Sequence, residues 1–90
     1  MTTLLEVGTA WTVLSSATNV TFQVTNLQAS GAKVLVVAAA AAHAAGSALG
    51  FTYCAGQGEL AKPVAAFGTG TTLYTRTTHG VAGVTVHDWS

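Results

Sequence analysis

Charge is what this chain has least of. Only Glu6, Lys33, Glu59, Lys62, Arg76 and Asp88 carry it, 7% of 90 residues, and they sum to zero. An ordinary soluble domain is roughly 25% charged. Small monomers stay dispersed through a mixed charged surface and a net charge away from zero, and near-neutral surfaces associate. The shortage predicts that much of this surface is covered, by copies of the chain or by a larger assembly. Three basic residues also leave no electrostatic footprint for nucleic acid, whose binding depends on neutralising phosphates.

Other absences narrow the classes further. A single cysteine, Cys54, excludes an internal disulfide, the usual staple of small secreted domains. The first six residues, Met1-Thr2-Thr3-Leu4-Leu5-Glu6, lack the basic and apolar regions of a secretory signal. The longest apolar run, residues 34–42, falls well short of the ~20 residues a membrane helix needs, so no membrane partner is expected. Ninety residues make one domain, 1–90, with a modest core. Many of its apolar residues are Ala, which add little burial energy, and self-association is a standard remedy for a small core.

What is present is Thr, Val and Gly, with one Pro. That composition favours short strands joined by turns. The clearest strand is Val20-Thr21-Phe22-Gln23-Val24-Thr25, with Val20, Phe22 and Val24 on one face and Thr21, Gln23 and Thr25 on the other. Residues 26–31 read as a connection. Val34-Leu35-Val36-Val37 is apolar on both faces, so its strand should be central or covered. Residues 38–45 are nearly all Ala: strand, loop and one helical turn all remain open there, with strand to about Ala40 and a loop over 43–49 the reading adopted. Further strands are expected at 51–53, 59–64, 73–77 and 81–87, with Pro63 marking an edge. Residues 5–13 form one bent strand or two, interrupted at Gly8. The fold class is all-β: a small β-sandwich or jelly-roll-like barrel of seven or eight short, mainly antiparallel strands.

Catalytic constellations are hard to assemble. Glu6, Glu59 and Asp88 lie in different elements, and Asp88 and His87, as strand neighbours, point to opposite faces. No Gly-x-Ser-x-Gly nucleophile elbow occurs; Gly46-Ser47-Ala48 lacks its spacing. Gly56-Gln57-Gly58 and Gly68-Thr69-Gly70 have no following helix to complete a phosphate cradle and read as turns. His43, His79, His87 and Cys54 lack the paired spacing of a structural zinc site, although a hairpin could bring His79 and His87 together. Asn19-Val20-Thr21 matches a glycosylation sequon but reads as a turn entering a strand. No catalytic residue, metal or cofactor is expected. The interface candidates are Trp11, Tyr74 and Trp89, since aromatic residues are enriched at desolvated contacts, and Arg76, a candidate for an inter-subunit ion pair with Glu6 or Glu59.

The order of segments carries a resemblance. Ala10-Trp11-Thr12-Val13 precedes the alternating strand that closes at Asn26; a Val-rich strand then runs into an Ala-rich loop and Gly50-Phe51. A Gly-x-Gly-Glu turn and Leu73-Tyr74-Thr75-Arg76 follow, before a last strand beyond Gly80. This resembles the small β-sandwich head-decoration or cement proteins of tailed bacteriophages. The resemblance implies a virion structural protein without catalysis, made in the host cytoplasm without a signal peptide. It would sit on the capsid surface as a homodimer or homotrimer and bind the major capsid protein. The alternative is a fibre, spike or tail-associated module binding a receptor or glycan, which predicts an exposed aromatic cluster of Trp89 with Tyr53 or Tyr74.

Overall fold

A computed structural model of the chain describes residues 2–27, 31–42 and 50–90. Among these residues are eight strands: β1 (Thr2–Val7), β2 (Thr12–Ser15), β3 (Asn19–Leu27), β4 (Val34–Ala39), β5 (Phe51–Tyr53), β6 (Gly58–Pro63), β7 (Thr72–Thr77) and β8 (Ala82–Trp89). A single 3₁₀ turn, Val64–Phe67, follows β6. The strands form two four-stranded sheets, ordered β1-β8-β3-β6 and β2-β7-β4-β5, and every strand pairing is antiparallel.

The pairings are nested. β4 pairs with β5, β3 with β6, β2 with β7 and β1 with β8, as in one long hairpin. Wrapping that hairpin brings β3 beside β8 and β4 beside β7, which completes both sheets. This is the topology of a jelly roll, and the expected all-β sandwich is the fold observed.

The core lies between the sheets. Val20, Phe22 and Val24 of β3 and Val84 and Val86 of β8 face Val34, Val36 and Ala38 of β4 and Leu73 of β7. The alternation read from residues 20–25 therefore assigns the inner face of β3 correctly. Phe22 anchors an aromatic group: its ring lies 5.1 Å from Tyr53, edge-on at 85°, and 5.8 Å from Phe67 of the 3₁₀ turn. Such tilted pairs add to the stabilisation from buried area. Val64 and Phe67 turn inward and close one margin of the sandwich.

Several boundaries differ from the sequence reading, each for a local reason. Of the two readings of residues 5–13, two strands interrupted at Gly8 is the one observed, with the first starting earlier, at Thr2, because the chain leaves the first sheet at Gly8 and joins the second at Thr12. β3 continues through Asn26 to Leu27, because a register shift between Val24 and Asn26 restores the alternation and turns Leu27 onto the core. Val64 belongs to the 3₁₀ turn rather than to the preceding strand. The Ala run stays in β4 as far as Ala39 and leaves the sheet at Ala40; the loop expected over 43–49, with His43, lies outside the described residues.

The two Gly-x-Gly motifs have a packing role. A Cβ on Gly58 would lie 1.9 Å from the Phe22 carbonyl oxygen, and one on Gly70 would lie 1.9 Å from the Ala39 carbonyl carbon. Both glycines let a turn press against the backbone of a neighbouring strand, so the need for glycine is steric.

Candidate interaction surface

Strand alternation fixes what each sheet shows to the outside. On β1-β8-β3-β6 the outward positions are Leu4 and Glu6 of β1, Thr85, His87 and Trp89 of β8, Thr21, Gln23 and Thr25 of β3, and Leu60 of β6. Glu6 is the only formal charge among them. Lys62 lies opposite the inward-facing Val20 and so leans to the other side of the edge. Leu60 is 80% exposed, Leu4 70% and Trp89 37%: most of the exposed large apolar side chains belong to this face. Large apolar groups set in an uncharged hydroxyl and amide surface are the signature of a contact region.

The face has relief. A groove of about 450 Å³ runs over β3 between Leu60 and His87, with Thr21, Gln23 and Thr85 on its floor and Glu59 also lining it. A bulge in β6 adjoins its Leu60 wall. The pairing with β3 shifts between Val20 and Phe22, Ala61 takes a left-handed φ of 49°, and its N–H donates to Thr21 Oγ1 at 2.8 Å. Beside the groove the His87 and Trp89 rings pack with centroids 5.5 Å apart. A second hollow, about 340 Å³, lies over Gly83 between Leu4 and Asn26.

The outside of β2-β7-β4-β5 is built differently. Tyr74 and Arg76 of β7 stand beside Val37 and Leu35 of β4. Leu35 is only 2% exposed although it lies outside the core cluster. Arg76 is buried; its Nε donates to the Thr9 carbonyl at 2.8 Å, and its guanidinium carbon lies 5.8 Å from the centre of the Trp11 ring, a cation–π arrangement. The apolar reading of β4 on both faces is therefore correct: β4 is an inner strand, and its outer Leu is covered.

The interface candidates named from the sequence separate accordingly. Trp11, Tyr74 and Arg76 gather on the second sheet, and Trp89 stands on the first. The aromatic cluster expected for a glycan site does not form, because Tyr53 points into the core and Tyr74 lies on the opposite sheet from Trp89. Leu4 and Leu60, which size and hydrophobicity assign to the core, instead stand exposed and dominate the open face together with the Thr-lined groove. Leu60 follows Glu59, whose partner Phe22 faces the core, so ordinary alternation turns it outward.

Most charges are held by local partners. Glu59 accepts a hydrogen bond from the Tyr53 hydroxyl at 3.2 Å, and Asp88 accepts one from the buried Ser15 hydroxyl at 2.7 Å, tying β8 to β2. Burial first, and the Glu59 charge second, push the Tyr53 hydroxyl up from 10.0 to about 12. Lys33 Nζ lies 3.0 Å from Cys54 Sγ. Among the described residues no three His, Cys, Asp or Glu side chains cluster as a metal site would require. His79 precedes β8 and His87 lies near its far end, five residues or ~17 Å beyond Ala82, so the two do not meet across a hairpin.

No protein-family model, curated protein or solved structure matches this chain. The fold therefore defines the class, a small eight-stranded jelly-roll sandwich, and a fold alone does not carry a function.

Proposed function

We propose that the protein is a non-catalytic virion component that decorates and cements the outside of a phage capsid, associating with itself and with the major capsid protein. The observation that carries this reading is the outer face of β1-β8-β3-β6, with one charge, exposed Leu4, Leu60 and Trp89, and a floor of Thr and Gln. Hydroxyls and amides bond a neighbour without the desolvation cost of buried ions. Apolar area contributes ~25 cal/mol per Å² on burial, so many modest contacts repeated over a lattice hold by avidity. The test is co-sedimentation of purified protein with capsids that lack it. Saturable binding at a fixed number of copies per capsomer is expected; no binding at micromolar protein contradicts the reading.

The 450 Å³ groove favours a second reading, a receptor- or glycan-binding module of a fibre or tail. Its polar floor and apolar wall fit a sugar, although the side-chain ring beside it is a single His87–Trp89 pair rather than an aromatic platform. Binding on a glycan array that is lost in Thr21→Ala would favour this reading over cementing.

A further inference from the structure

A sandwich has four sheet edges, and in this one they are unequal. An open edge is a row of unpaired N–H and C=O groups, a template for another strand, and proteins blunt such edges with short strands, bulges, Pro and Lys. β5 has three residues. β2 has four, with a register shift between Val13 and Ser15. β6 carries a bulge, the left-handed Ala61, the exposed Lys62 and Pro63. β1 has no bulge, Pro or Lys, and its one charge is Glu6, next to the last residue of the strand. Its six residues pair with β8 in unbroken register, from Thr2 opposite His87 to Val7 opposite Ala82, and its other side is an edge of the sheet. Leu4, at mid-strand, stands 70% exposed on the outer face.

We infer that β1 is a self-association edge, and that two copies join by antiparallel β1–β1 pairing about a two-fold axis through Leu4. Residues directly opposite in a ladder share a face, so a symmetric pairing centres on a residue and pairs positions of like parity. Centred on Leu4, it sets the two exposed leucines against each other, Thr3 opposite Leu5 of the second copy, and Glu6 opposite position 2. The two Glu6 residues then lie four positions apart, ~13 Å along the strands. Centring on Glu6 would set like charges face to face, which destabilises a pair. Centring on Leu5 would leave Leu4 opposite Glu6. The Leu4 register is the one that buries the exposed leucine against its own kind and keeps the edge's single charge clear of its copy. It also fuses two β1-β8-β3-β6 sheets into one eight-stranded sheet, doubling the charge-poor face. The inference deepens the self-association in the proposed function and rests on it only there; attachment to a capsid is a separate event.

Cross-linking and mass test it together. In a Cys54→Ser background, Leu4→Cys should oxidise to a disulfide dimer, because opposed residues lie ~4.5–5.5 Å apart between Cα atoms, within disulfide reach. Glu6→Cys in the same background should stay monomeric on a non-reducing gel. By light scattering the unmodified chain should have twice the chain mass. Leu4→Lys, a change at an exposed position, should weaken dimerisation at least tenfold, with a melting curve like the parent's at concentrations low enough that both are monomeric, while Leu60→Lys should leave the dimer intact. A monomeric parent chain, efficient cross-linking at position 6 instead of 4, or a Leu4→Lys dimer of full strength would each overturn the inference. Should Leu4→Lys fail to fold, the Leu4→Cys and Glu6→Cys pair still decides the register. A monomer that binds capsids overturns β1 pairing alone; a β1-linked dimer that does not bind them supports the pairing and contradicts the capsid role.

Discussion

The two outer faces of this sandwich use similar residues to opposite ends. On β2-β7-β4-β5 a leucine, Leu35, is almost completely buried, and the one arginine is turned back onto the Thr9 carbonyl and the Trp11 ring. On β1-β8-β3-β6 a leucine, Leu60, stands 80% exposed above a groove floored by threonines. The contrast teaches that a large or charged side chain is not by itself a sign of an interface. Trp11 and Arg76 engage each other, so part of their contact potential is already spent within the chain. The open face is left with small polar groups and isolated apolar ones.

The comparison can be broken most severely from the core, on which both faces rest. Phe22→Ala removes the ring that holds Tyr53 and Phe67 and should cost ~3–5 kcal/mol in denaturant titrations. A loss below ~1 kcal/mol would mean that Phe22 does not organise the core. The leucine pair sharpens the contrast directly. Leu35→Ala should cost ~2–5 kcal/mol of folding stability, the range for a buried leucine. Leu60→Ala should cost under ~0.5 kcal/mol, as exposed substitutions do, yet weaken attachment to a partner. Equal folding losses for the two would erase the distinction between the faces.

A pH titration probes the joint between the sheets. The Tyr53 hydroxyl titrates near 10.0 when unfolded and is pushed up to about 12 in the fold, so between those values the folded state holds the proton that the unfolded state releases. That contribution is complete below pH 10 and is lost as pH rises towards 12. Urea unfolding at stepped pH should show the decline, and Tyr53→Phe should flatten it. One modest effect is expected to be a gain. Thr75 is fully buried with its hydroxyl unpartnered among the described residues, so Thr75→Val, which keeps the shape, should stabilise by ~1 kcal/mol in thermal melts.

How much of this was legible in the sequence depended on local periodicity. The alternation at residues 20–25 and the doubly apolar Val34-Leu35-Val36-Val37 carry their own burial pattern, so β3 and β4 were placed with the right faces. Pro63 signalled an edge, and β6 is one. The ladder shifts at Val13/Ser15, Val20/Phe22 and Val24/Asn26 were not legible, because an extra residue breaks the period of two only where a partner strand supplies the register. β1 was obscured by Leu4 and Leu5, adjacent and equally apolar, of which only Leu5 packs on the core. The candidate surface was harder still. Size and charge pointed to Trp11, Tyr74 and Arg76, whereas exposure is decided by which sheet face closes on itself, a property of the assembled sandwich.

The central claim is that β1-β8-β3-β6 is the face covered in the assembly. Hydroxyl-radical footprinting of the purified protein against the same protein on intact particles tests it most directly. Leu4, Leu60 and Trp89 should lose labelling severalfold on the particle, with Val13 on the opposite sheet labelled as before. Undiminished labelling of Leu60 and Trp89 together with protection of Val13 would contradict it.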